Sequence, residues 1–220
     1  MNSGHLKVKD PGSALTHFIA MVVAALAATP LIVKASNGLN STHLGAFVVF
    51  IVSMICLYGA STVYHTFDIS EKVNKILRKI DHAMIFVLIA GSYTPVCLMV
   101  LPKNIGIPLL TAVWAITIAG IIFNICWITC PHWLSSAMYI GLGWLCVIGF
   151  SSMMKNLSHA AFMWLLVGGI IYTIGGVIYA LKLPLFKKFN WKNFGNHELF
   201  HIFVMIGSLC HFILVYQYLA

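Results

Sequence analysis

The sequence predicts an all-α membrane protein, a seven-transmembrane helix bundle with its N-terminus in the cytoplasm and its C-terminus outside. Three observations lead there. Apolar runs of about 20 residues recur along the whole chain, the length a helix needs to cross about 30 Å of hydrocarbon. Of 220 residues, 60% are hydrophobic and 8% charged, and mean hydropathy is +0.94, far from the balance of soluble domains. The basic residues gather in alternate loops. Helices are favoured over strands because a lipid-exposed backbone must satisfy its own hydrogen bonds, and the alternating ten-residue segments of a barrel are absent.

The spans fall near 14–33, 43–66, 81–101, 106–128, 134–154, 159–181 and 196–219. The first, Ala14 to Val33, is too long for a signal-peptide core and lacks a convincing cleavage site, so it is expected to remain as a span. Between the second and third spans, Asp68 to Ile80 places Val73, Ile76, Leu77 and Ile80 on one helical face and Lys72, Lys75 and Lys79 mostly on the other. That pattern predicts a short helix lying on the bilayer surface. Pro95 falls inside the third span and is expected to kink it, whereas Pro11-Gly12, Pro102, Pro131 and Pro184 mark loops. Lys182 to Asn193 carries Phe186, Phe189 and Trp191 among its lysines, the composition of an interfacial anchor. Residues 1–220 make one domain, without internal repeats.

Lys7, Lys9, Lys72, Lys75, Arg78, Lys79, Lys182, Lys187, Lys188 and Lys192 fall on one side of the predicted membrane, and Lys34, Lys103 and Lys155 on the other. Ten basic residues against three set the orientation by the positive-inside rule. The net charge of +8 therefore speaks of topology and anionic lipid, not of nucleic acid. Cys56, Cys97, Cys126, Cys130, Cys146 and Cys210 lie in or beside apolar runs without a C-x-x-C pair and read as reduced packing residues.

Chemistry concentrates at one depth. His197-Glu198-Leu199-Phe200-His201 is an H-E-x-x-H string at the start of the last span. Residues four apart lie about 40° apart around a helix, so the two imidazoles can grip one metal ion. His65 ends the second span and Asp81 opens the third, so all these groups sit at cytoplasmic helix ends. Three imidazoles from two helices, with an open position for water, is the recipe for a catalytic zinc site. Ser61, one turn deeper than His65 on the same face, is placed to hydrogen-bond that water or a substrate oxygen. Each residue also has a plainer reading. Asp81 fits a helix N-cap or a partner of Arg78 or Lys79, His65 an interfacial histidine, and Glu198 a first-turn acid that complements the helix dipole. Their coincidence at one depth argues for the shared site, since acids within spans are costly and face partners or cavities.

Ser61-Thr62-Val63-Tyr64-His65 resembles the S-x-x-x-H motif of the hemolysin III and progestin/adipoQ receptor family, within the superfamily that includes alkaline ceramidases. Ile80-Asp81-His82 is similar to that family's acidic third-helix start, and His197-x-x-x-His201 to its final-helix pair. Ala90-Gly91-Ser92-Tyr93-Thr94-Pro95 is close to the bacterial hemolysin III pattern. The resemblance implies seven helices with the N-terminus inside, and zinc held by His65, His197 and His201 near the cytoplasmic face, with Asp81 holding a metal-bound water. The absence of the eukaryotic receptors' long N-terminal region favours a compact bacterial member, in the plasma (inner) membrane. In soluble zincins the Glu of H-E-x-x-H is the base. In this family the residue between the histidines varies, which makes Asp81 the first choice of base and Glu198 an orienter of the ligands or an alternative base.

The remaining histidines are expected to matter less. His82 points about 100° from Asp81 and reads as interfacial. His211 lies roughly 20 Å beyond His197 along the helix, too far to share an ion, and is expected to bond a neighbouring helix. His17, His43 and His159 read as span-end residues, and His5 and His132 as terminal or loop residues.

The leading functional expectation is a zinc-dependent hydrolase of lipid-like amides or esters, with membrane lipids as partners and a substrate arriving from the cytoplasmic leaflet. A second is a structural zinc that staples the second, third and seventh helices of a sensor or regulator of membrane state. Transport ranks lower because the outer halves of the spans carry no Asp or Glu. Pore formation and intramembrane proteolysis rank lower still.

Overall fold

The computed structural model describes residues 8–37, 40–181 and 195–220. The regular structure of the described residues is all helical: α1 Pro11–Ser36, α2 Ser41–Thr66, α3 Glu71–Met99, α4 Lys103–Cys126, α5 His132–Trp144, α6 Phe150–Asn156, α7 His159–Leu181 and α8 Asn196–Leu214. A 3₁₀ turn, Leu145–Gly149, joins α5 to α6, and a π-helical turn, Val215–Leu219, ends the chain. Counting α5–α6 as one span, His132–Asn156, seven segments are long and apolar enough to cross a bilayer. The chain is a multi-pass integral membrane protein, and the first apolar run forms a helix long enough to span.

Local signals set the ends. Pro11 occupies the first turn of α1, Asn40 caps α2 through His43 N, and Ser70 caps α3 through Val73 N. The α3 cap corrects one expectation. The amphipathic segment before Asp81 is helical but continuous with the third span, so it is not a separate surface helix and Asp81 is neither a helix start nor an N-cap. Nothing between Ile80 and Asp81 breaks the backbone ladder, and Ser70 with Glu71 already supplies a helix start. α3 therefore carries about 15 Å of helix ahead of Asp81, and it continues through Pro95.

The fifth span departs from a plain helix. Its glycines at 141, 143 and 149 favour a local break, and the Tyr93 hydroxyl of α3 services the freed backbone. It accepts from Cys146 N at 2.7 Å and lies 3.0 and 2.5 Å from the carbonyls of Leu142 and Gly143, to which it donates. Irregular backbone at membrane depth is tolerated where protein satisfies it.

The spans form a closed ring, with α1 packed on α2, α2 on α3, α3 on α4, α4 on α5 and its 3₁₀ turn, α5 on α7, α7 on α8 and α8 back on α1. One core centres on Leu31, Phe47, Phe50, Ile51 and Tyr58, and a second on Phe86, Tyr93, Val113, Leu142 and Met153. Helices approach closely at Gly91, where a Cβ would meet the Ser53 side chain, and at Gly207, where it would meet the Tyr172 ring. Large apolar side chains such as Leu26, Val23 and Ile118 point outward, as expected when the solvent is lipid. All six cysteines are free. The expected interfacial anchor 182–193 and His5 lie outside the described residues.

Candidate metal and ligand site

The ring topology brings the C-terminal end of α2 and the N-terminal ends of α1 and α8 to one place. Nitrogens of His65, His197 and His201 all lie within 4.8 Å of one another. Their ring centroids form a triangle of 4.9, 4.5 and 5.2 Å. The three residues named from sequence as ligands are thus together, from two helices, with His65 and His201 buried.

The hydrogen bonds around the cluster orient its nitrogens. Asp10 Oδ2 lies 3.0 Å from His65 Nδ1. A carboxylate only accepts, so Nδ1–H donates and His65 Nε2 is left with a lone pair. The Thr16 hydroxyl donates to Ser13 O at 2.9 Å and so accepts from His201 Nδ1–H at 3.2 Å, which leaves His201 Nε2 free. Metal-binding histidines typically have their second ring nitrogen held in this way. His197 Nε2 faces His65 Nε2 at 3.0 Å. Two such nitrogens meet comfortably only around a proton or a cation, and three imidazoles are a donor set suited to zinc.

Glu198 is committed to architecture. Its Oε2 accepts from Gly195 N at 2.8 Å, closing the start of α8, and its Oε1 accepts from Ser13 Oγ at 2.5 Å, tying α8 to α1. Asp81 and Ser61 are buried from α3 and α2 and line one cavity with His17, His197 and His201. Ser61 Oγ has Asp81 as an electrostatic neighbour yet no well-formed hydrogen bond.

That cavity is about 180 Å³ and is otherwise walled by apolar side chains, among them Leu88, Ile89, Val96, Phe162, Leu165 and Ile170. A second, more polar cavity of about 380 Å³ holds Asp10, Ser13, His65, Arg78 and Glu198. His82, Tyr179 and His197 line both, so the histidine cluster stands between an apolar chamber and a polar vestibule.

Sequence reasoning missed the contribution of α1. Asp10, Ser13, Thr16 and His17 all face the site, whereas the sequence alone reads His17 as a span-end residue and singles out none of the other three. His17 is instead buried and stacked on His201, with ring centroids 3.6 Å apart and planes within 6°. The available signal was a polar stripe at i, i+3 and i+7, Asp10-Ser13-His17, at the head of an otherwise apolar helix. His82, read as interfacial, lines the cavities, and its carbonyl accepts from Tyr139 OH at 3.3 Å. His211 does bond a neighbouring helix, through Nε2 to Leu165 O at 3.3 Å.

Comparison with known proteins identifies the family. The chain is 36% identical over 210 residues to "Hemolysin-3 homolog" of Bacillus subtilis (strain 168), covering 96% of this chain and 94% of that protein. It is 36% identical over 211 residues to "Hemolysin-3" of Bacillus cereus, covering 96% and 91%. "Adiponectin receptor protein" of Drosophila melanogaster is 24% identical over 219 residues, covering 92% of this chain and 49% of that receptor. No solved structure matches. The family model described as Haemolysin-III related spans residues 6–212, and with these relatives it shows that the chain belongs to the hemolysin III family, with the progestin and adipoQ receptors as more distant kin.

Proposed function

We propose that this chain is a membrane-embedded, zinc-dependent hydrolase of lipid-like amides or esters. One observation carries the reading: three imidazoles, two of them with outer hydrogen-bond partners, converge where an apolar cavity lined by Asp81, Ser61, His197 and His201 meets a polar vestibule lined by His65. His65, His197 and His201 are the ligands. When bound, zinc supplies a Lewis acid that polarises a carbonyl and brings the pKa of water toward about 7. The residues do the rest. The apolar chamber takes the hydrocarbon tail and excludes bulk water. Ser61 donates its unpaired hydroxyl to the carbonyl oxygen as negative charge develops there. Asp81 takes a proton from the water that adds to the carbonyl carbon and returns it to the departing nitrogen or oxygen as that bond breaks. Glu198 holds α8 against α1 and so positions His197 and His201. The substrate arrives laterally from membrane lipid, and the bacterial relatives support a plasma-membrane location.

The test is turnover of long-chain N-acyl amides and esters by purified protein in lipid nanodiscs, with zinc content measured beside it. Asp81→Asn should keep its zinc and lose about 10²–10⁴-fold in rate. Equal background turnover by both proteins, zinc bound, overturns the reading. A second reading is favoured by the origin of the ligands on two different spans: the zinc is a staple between α2 and α8 in a sensor of membrane state. Chelation then lowers the melting temperature, while Asp81→Asn leaves the cellular phenotype intact.

A further inference from the structure

His17 is a buried, polar side chain that the chemistry above does not use. It is 3% exposed, and neither ring nitrogen has a hydrogen-bond partner among the described residues. An imidazole carries at least one N–H donor, and leaving such atoms unpaired away from water is costly. Its face is stacked on His201 and its edge meets the Tyr58 ring at 5.1 Å between centroids. Packing therefore fixes the ring while its polar atoms are unmatched. The same cavity is lined by Ser136, whose hydroxyl also lacks a partner among the described residues, and by Ser61, whose hydroxyl faces Asp81 without a well-formed hydrogen bond. Three polar groups from α1, α2 and α5 without well-formed hydrogen bonds thus border a chamber whose walls are mostly apolar.

We infer that His17 is a ligand-reading residue: it hydrogen-bonds the polar group of an amphiphile whose tail fills the apolar chamber. This inference rests on the hydrolase reading for the site but not on turnover. In its neutral form an imidazole offers a donor on one nitrogen and an acceptor on the other. The complementary group has both, which an N-acyl amide with a hydroxyl provides and an ether does not. Selection follows from the asymmetry of buried hydrogen bonding, since a ligand that leaves these atoms unpaired forfeits the gain. His17 holds the ligand by hydrogen bonding alone.

Binding separates this from catalysis. In the Asp81→Asn background, dissociation constants of N-hexadecanoylethanolamine and hexadecyl methyl ether are compared for His17, His17→Phe and His17→Gln, with zinc content recorded for each. His17→Phe keeps an aromatic face on His201 and should weaken the amide about tenfold while leaving the ether unchanged. His17→Gln keeps a donor and an acceptor without the aromatic face and should retain most of the preference. Equal losses for amide and ether in His17→Phe overturn the inference, because they mark a packing role. So does unchanged amide binding, or a parent protein that does not distinguish the two probes. Amide binding that depends on His17 without any hydrolysis by wild-type protein overturns the hydrolase reading and leaves this one standing.

Discussion

At the residue scale, α1 shapes the cluster although it supplies none of the three histidines. Asp10 is the clearest case. Its backbone N–H donates to His65 O at 2.9 Å, and its side chain takes the Nδ1 proton of the same residue. That side chain makes no cap bond to α1, so its removal need not unwind the helix start. Asp10→Ala should therefore weaken zinc binding by about 10–100-fold, the usual effect of losing such an outer partner. Competition with a chelator of known affinity measures this, and wild-type affinity in the variant would rule out the role. In the sequence, His65, His197 and His201 were legible because their spacing and common depth are one-dimensional facts. Asp10, Thr16 and His17 were not, because their meaning depends on which helix lies beside α8.

At the element scale, two spans depart from what their sequence predicts. α3 begins a full ten residues before Asp81, which turns that acid from a helix-end group into a side chain held on the wall of a cavity. Its amphipathic start was legible, but continuity with the span was not, because surface helices and helix extensions share one periodicity. The fifth span breaks where Tyr93 can repair it. Tyr93→Phe removes the acceptor of the Cys146 amide and the donor to the Gly143 carbonyl in one step, while Leu142 O keeps the Leu145 amide. It should cost about 1–3 kcal/mol, the penalty for buried backbone groups left unpaired. A thermal melt of the purified variant in detergent measures this, and an unchanged melting temperature would show that the break is satisfied in another way.

At the scale of the whole molecule, the closed ring sets the depth at which polar chemistry occurs. The N-terminal end of α1, the C-terminal end of α2 and the N-terminal end of α8 share one membrane face, and the histidine cluster sits there between chamber and vestibule. The ten-to-three distribution of basic residues predicts that this face is cytoplasmic. A reporter active only outside the cytoplasmic membrane, fused after Ala220, should be active, and the same reporter fused ahead of Met1 should be silent. The reverse pattern would invert the molecule and place the site in the outer leaflet.

By itself, the sequence determined the number of spans, their helical nature, the membrane setting and the candidate ligands. Each follows from quantities that run along the chain: apolar length against bilayer thickness, backbone self-satisfaction in lipid and residue spacing on one helix. Only the tertiary structure decided that α1 closes the ring against α8, that Asp10 and Thr16 orient the imidazoles, and that His17 lies stacked on His201 with its nitrogens unpaired. It also decided that Glu198 is occupied by Ser13 and Gly195. Those are facts about neighbours. In lipid every apolar helix face is equally content, so the choice of neighbour rests on side-chain packing and a few interhelical hydrogen bonds, and a polar stripe such as Asp10-Ser13-His17 does not name the helix it faces.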